Sequence, residues 1–455
     1  MISAVIRAHR LAMRASVVVL AFLPLAVAHA QTEPRSLTIG EAARLAARQS
    51  AVAQGAALRV EQAEARVQQR RSELFPNLSA LASGSQRSFN TATLGIDFPT
   101  PAGQPPVFDP DGQVIGGVHA YDFRGRISQT LFDASVLGRW RAAQFGARAA
   151  GVEASAAGDA AANAAAIAYV RVLRADAQLA ARAADSALAE ELLGIARDVL
   201  TAGVGVALDV TRAESQRSVV RAQLIAARNE RDRARLELHR TLGIPLDPPV
   251  TIADSLGTMS AAVVVDEEAT LARAFARRPD LRALESQIEA SAQQTRAIRL
   301  ERLPAVGLVA DQGVIGRSID HMLATYTFGV QLSLPIFDGF RREGRLDEQR
   351  AVGREIEVRR RDLREQIAIE VRGAVLDLAS AREQVEAARE RLRLAEQELA
   401  QSRERFRAGV AGNADVITAS LALTGARTQL NDALAAFQSA RIALARADGS
   451  ITDLP

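Results

Sequence analysis

The sequence predicts a mainly α-helical chain with a small β portion, built as a duplicated helix–strand–strand–helix unit. Three observations carry that reading: a composition rich in alanine and charge, two long tracts without proline, and an internal repeat. Only 4% of the 455 residues are aromatic while 24% are charged, the profile of long helices. No proline lies between Asp111 and Ile244, or between Ile336 and Leu454. Proline breaks helix interiors, so both tracts are free to run as very long helices.

The repeat is legible by eye. "AGVGVALDVTRAES" (Ala202–Ser215) returns as "AGVAGNADVITASL" (Ala408–Leu421), and Thr201–Gly243 aligns with Arg407–Gly449 without a gap. "YDFRGRISQTLFDAS" (121–135) echoes "YTFGVQLSLPIFDGF" (326–340), and "ELFPNLSAL" (73–81) more loosely echoes "ERLPAVGLV" (301–309). Each copy reads helix, proline, strand, loop, strand, very long helix, glycine turn, helix. Residues 1–30 precede the repeats. Arg7, Arg10 and Arg14 are followed by an apolar run from Ala15 to Ala28 and a small-x-small site at Ala28-His29-Ala30. That pattern predicts a secretory signal peptide; the apolar run is too short for a comfortable membrane anchor. The first copy is expected over 31–243, with strands about 77–90 and 121–132 and a helical hairpin about 134–242. A linker follows at 244–265. The second copy occupies 266–455, with strands about 305–313 and 325–336 and a hairpin about 340–448.

The second proline-free tract carries a helical seam. Ile356, Leu363, Val371, Leu378, Val385, Leu392, Leu399 and Phe406 recur at heptad spacing with one longer step, and Ala381, Ala388, Ala395 and Ser402 follow four of them. One large and one small position per heptad lets helices approach closely. A helix from about Phe340 to Ala408 would be roughly 100 Å long at 1.5 Å per residue. An ordinary extended coiled coil would show the same seam.

The strands point to the environment. Tyr326, Phe328, Val330, Leu332, Leu334 and Ile336 alternate with Thr327, Gly329, Gln331 and Ser333, a period-2 strand long enough to cross a bilayer at a tilt. Over 121–131 Tyr121, Phe123, Ile127 and Leu131 oppose Asp122, Arg124, Arg126, Ser128 and Thr130. The apolar set would face lipid and the charged set would line water. Most aromatics cluster around these strands and their ends, as interfacial girdles do. The alternative is a half-buried soluble sheet. Four strands cannot close a spanning barrel, which begins at about eight, and lipid tolerates no unpaired backbone. Several copies would therefore pool their strands; two would give eight and three twelve, and strand count alone does not choose.

Composition also excludes chemistry. Without the leader's three arginines the 56 basic residues balance the 53 acidic ones, so no nucleic-acid partner is inferred. The chain has no lysine and no cysteine, which removes P-loop and Schiff-base lysines, disulfides and thiolate chemistry. His119, His239 and His321 are scattered and read as surface or loop residues. The glycine-rich segments at 203–205 and 113–117 match no full phosphate fingerprint and read as turns. No catalytic, cofactor or metal constellation emerges.

These features, with "RPDLRALESQIEASAQQTRAIRLERLP" (278–304) and "LSLPIFDGFRREGR" (332–345), resemble TolC-type outer-membrane efflux channels of the non-lipidated branch. The resemblance spans nearly all of the chain beyond the leader. It implies a homotrimer: a trimeric α-helical barrel in the periplasm continuous with a shared 12-stranded β-barrel in outer-membrane lipid. It further implies a passive exit duct of a tripartite efflux or type I secretion system. The duct would meet a periplasmic adaptor (membrane fusion) protein and an inner-membrane transporter. The alternative is a soluble periplasmic coiled-coil adaptor or scaffold, which should carry one hairpin and a compact β domain. The repeated motif then marks two hairpin tips. Gly203 and Gly409 would let the backbone turn, and Asp209 and Asp415 would cap the following helices. Resemblance adds an acidic entrance ring at Asp415 and a closing link at Asp209. It also marks departures at Thr418, Ala411 and Phe406, where the family's second ring acid, linking arginine and linking tyrosine stand, so the closing network must be built differently.

Overall fold

The computed structural model describes residues 36–94, 103–104, 111–247, 250–257, 266–408, 410 and 412–455. The proposed leader and Gly409 and Ala411 lie outside them. The chain opens with β1 (Ser36–Leu37), α1 (Ile39–Gln49) and α2 (Ala51–Ser72), then β2 (Asn77–Asn90) and β3 (Val114–Phe132). The long helix α3 (Ala134–Thr201) turns into α4 (Ala207–Leu242), and β4 (Thr251–Ile252) follows. The second copy repeats the plan: α5 (Glu267–Arg277), α6 (Pro279–Leu300), β5 (Ala305–Gly316), β6 (Met322–Ser333), α7 (Arg341–Arg407) and α8 (Asn413–Ala447).

Local chemistry sets these boundaries. Thr38 and Glu41 form a reciprocal capping box at α1, and the Asp133 and Asp266 carboxylates accept the first free N–H groups of α3 and α5. Such caps satisfy donors the helix cannot. Pro279 opens α6, where its missing N–H costs nothing. The two copies also end alike. Gly243 (φ 71°) follows α4 and Gly449 (φ 76°) follows α8. A Cβ on Gly243 would meet the Gln49 carbonyl at 2.4 Å, and one on Gly449 would meet Arg277 at 3.1 Å. Each long hairpin thus returns onto the junction between its copy's two short helices.

The seam residues are where the heptad places them. Ile356, Val371, Val385, Leu399 and Phe406 are buried, as are Ala381, Ala388 and Ala395. The main core lies where the copies meet. Leu37, Ile39, Ala165, Tyr169, Leu238, Leu242 and Ile442 pack together there, drawn from β1, α1, α3, α4 and α8. Tyr169 is fully buried, and its hydroxyl lies 2.8 Å from both the Leu37 carbonyl and the Asp254 carboxylate.

Three expectations change here. The stretch 244–265 is more than a linker: β4 pairs in parallel with β1, and Leu256 is buried in the main core. A strand of two residues carries almost no periodicity, so the sequence gives no sign of it. Residues 114–117 belong to β3 rather than to a turn, although Gly117 keeps a positive φ of 72°. His239 is 6% exposed, with Nδ1 2.8 Å from the Pro245 carbonyl, so it is a helix-end core residue; His119 and His321 are exposed.

The larger sheet has the order β2-β3-β5-β6, with every neighbour antiparallel. Its outer edges, on β2 and β6, have no partner strand among the described residues of the chain. None of the described helices is long and apolar enough to cross a membrane.

Candidate functional site

Strand register sorts the sheet into two faces. One row runs Ser79–Arg126–Asp311–Thr327, and its neighbour on the opposite face runs Leu78–Ile127–Ala310–Phe328. Asp122, Arg124, Arg126, Thr327 and Gln331 therefore share one face. Tyr326, Phe328, Val330 and Leu332 share the other, and all four are more than half exposed in the single chain. Leu334 is also exposed, but β6 stops at Ser333, so Leu334 lies beyond the strand. The proline at 335 fits that ending, because it has no N–H to donate to a ladder.

The charged face holds an ion-pair group that sequence reading found only in part. Arg124 reaches Asp122 at 2.6 Å and Asp311 at 3.0 Å, tying β3 to β5. Asp311 is 8% exposed. The signal for it was the lone acid in an otherwise apolar or neutral strand.

At the far end of the hairpins the α3–α4 turn uses Gly203 at φ 75°, a left-handed conformation that glycine adopts without strain. The Gly205 N–H donates back to Val199 O at 3.1 Å. The aspartates are not the caps. Val206 and Gly412 precede α4 and α8, neither with a side-chain cap. Asp209 and Asp415 stand in the first turn of their helices, where the helix dipole favours an acid by about 0.3–1 kcal/mol. Asp209 has Arg212 at 3.7 Å, whereas Asp415 is exposed. Thr418, one turn further, is exposed, and its hydroxyl donates to Ala414 O at 2.9 Å. Phe406 is 5% exposed and packs with Leu192, Leu399, Val416 and Leu423, so it serves the hairpin core rather than a surface link.

The links between the two hairpins come from residues the sequence did not single out. Asn413, fully buried, donates from Nδ2 to the Asp209 carbonyl at 2.9 Å. Glu191 of α3 takes Arg403 and Arg407 of α7. Higher up, Asp185 of α3 is 2% exposed and holds Arg182 at 3.1 Å and Arg427 of α8 at 2.9 Å. Apart from Arg182 and Asp185, one turn apart on α3, these partners are separated by hundreds of residues, so no local pattern reveals them. Among the described residues no group of His, Cys, Asp and Glu is placed to hold a metal ion.

Two long helical hairpins, continuous with a sheet that is charged on one face, apolar on the other and open at both edges, define an outer-membrane channel protomer. The particular family follows from comparison. The model of the outer membrane efflux protein family matches residues 42–244 and 270–450, and the chain belongs to that family, whose members reside in the outer membrane and extend into the periplasm. The alkaline protease secretion protein AprF of Pseudomonas aeruginosa is 29% identical over 146 residues, a match that spans 30% of this chain and 30% of that one. The CmeC outer membrane channel of Campylobacter jejuni superposes with a TM-score of 0.73 at 16% identity, covering 90% of this chain and 85% of that chain. The outer membrane protein VceC of Vibrio cholerae gives a TM-score of 0.70 at 20% identity, covering 90% and 96%. At such identities these likenesses speak to the fold.

Proposed function

We propose that three copies of this chain form an outer-membrane exit duct. The duct passively conducts substrates from a periplasmic adaptor and an inner-membrane pump to the exterior, in efflux or type I secretion. One observation carries the reading: all charged side chains of the four-stranded sheet lie on one face while both its edges stand open. A sheet of that kind suits lipid outside and water inside once further copies close it. In this reading Tyr326, Phe328, Val330 and Leu332 meet lipid, and Asp122, Arg124, Arg126, Thr327 and Gln331 line the lumen. The signal peptide over 1–30 delivers the chain for export, and the two copies 31–243 and 266–455 supply one hairpin tip each.

The tips form the periplasmic gate. Three exposed Asp415 side chains around the axis make an acidic ring of the kind that selects cations, with Thr418 one turn behind. Closure rests on the contacts that replace the family's usual links: Asn413 to Asp209, Glu191 to Arg403 and Arg407, and Asp185 to Arg427. Asp415→Ala should raise conductance and abolish cation block in planar bilayers; an unchanged conductance and blocking profile removes Asp415 from the gate. The soluble adaptor reading fits poorly, since the chain carries two hairpins and no compact β domain among its described residues. Fractionation tests the whole proposal. The duct requires recovery in the outer membrane as a heat-sensitive oligomer, and a water-soluble native monomer overturns it. Cargo choice belongs to the pump.

A further inference from the structure

The four strands carry five charged side chains by sequence: Arg87 in β2, Asp122, Arg124 and Arg126 in β3, and Asp311 in β5. Register places all five on the same face, because Arg87 keeps the parity of Ser79 and Ser83, which pair with Arg126 and Asp122. Their partners are shared unequally. Both carboxylates are held by the single guanidinium of Arg124, at 2.6 and 3.0 Å. Asp311 is the register partner of Arg126, yet its side chain goes to Arg124 instead. Arg126 and Arg87 are exposed and make no ion pair among the described residues. An anion on this face therefore finds open guanidinium groups, whose forked donors match carboxylate and phosphate oxygens. A cation finds both acids already engaged.

We propose that Arg126, supported by Arg87, makes the β-barrel segment of the duct favour anions bearing carboxylate or phosphate groups. The inference rests on the trimeric duct reading, which sets three copies of each arginine around one lumen. Its sign is opposite to that of the acidic tips, so the duct passes from a cation-attracting entrance to an anion-attracting exit. Arg126 and Arg87 stand roughly 27 Å apart along the strands, from about eight residues at 3.4 Å each, and act as separate belts.

Screening fixes the conditions of the test. The Debye length is about 10 Å at 0.1 M salt and about 30 Å at 0.01 M, so belts on a wide wall are felt chiefly at low salt. The full-length protein would be reconstituted in planar bilayers of neutral lipid, and reversal potentials read under a shallow KCl gradient near 0.01 M. Arg126→Ser and Arg87→Ser should each lower the chloride-to-potassium permeability ratio, with additive effects in the double variant. Arg126→Lys should retain the ratio, and the differences should vanish near 1 M, where the Debye length is about 3 Å. A double variant of wild-type conductance whose low-salt reversal potential equals that of wild type overturns the proposal. Protein that stays a water-soluble native monomer and does not insert overturns the duct reading itself, and this inference with it.

Discussion

Two glycines with the same left-handed backbone show how context sets the cost of a residue. Gly203 has φ 75° and nothing within 4 Å of a built Cβ, whereas Gly243 has φ 71° and the Gln49 carbonyl 2.4 Å away. Asparagine tolerates this conformation better than most residues. In the proposed trimer, Gly203→Asn should therefore leave the dissociation temperature almost unchanged, while Gly243→Asn should lower it by several degrees, both read by heated gel electrophoresis. Asp159 supplies a pH prediction. Burial, then the nearby Asp280 and Asp453 carboxylates, push its pKa up from 3.8 to about 6, against the pull of Arg278. The folded state therefore holds a proton that the unfolded chain releases. The stability from this group is present below the unfolded value and is lost as pH rises through about 6. Asp159→Asn should raise heat resistance at about pH 7.5 and flatten its decline between about pH 4 and 6; a parallel, unshifted profile would count against it. At this scale the sequence was a partial guide. Asp122 and Arg124 were visible as misfits in an apolar alternation, but Asp311, Asp185 and Asn413 acquire their roles only from partners far along the chain.

Among the elements, the long helices were the most legible and the short strands the least. Absence of proline and a heptad seam with a single longer step specify α7 nearly to its ends, because a seam of that length admits few other packings. The matching copies keep one spacing through their helices and change it between their strands. α1 and α5 have 11 residues each, and α2 and α6 have 22 each, but the β2–β3 connection (91–113) is far longer than the β5–β6 connection (317–321). The offset between copies therefore changes within that connection, so the echo at 73–81 stands at a different spacing from the one at 121–135. The seam's small positions give the third prediction. Ala388 is 1% exposed beside Val385 and Ala433. Ala388→Leu would overpack the α7–α8 contact, at a cost of about 1–3 kcal/mol. Ala→Leu at an exposed position of α7 should be neutral by the same heat-dissociation measurement.

For the molecule as a whole, the sheet's two unfinished margins impose an order on biosynthesis. On the proposed trimeric reading, a newly exported copy would complete its helices and its main core alone, but β2 and β6 would find partners only when other copies arrive. Completion is thus a collision-limited event whose yield depends on dose. The heat-resistant form should rise more than proportionally as expression is increased from very low levels, and pulse-labelled protein should lag behind its own export. Until that meeting each copy is a half-sealed seam in search of its counterparts, vulnerable to proteases and to mispairing. The cell's quality-control machinery would then act on a waiting period written into the strand order itself.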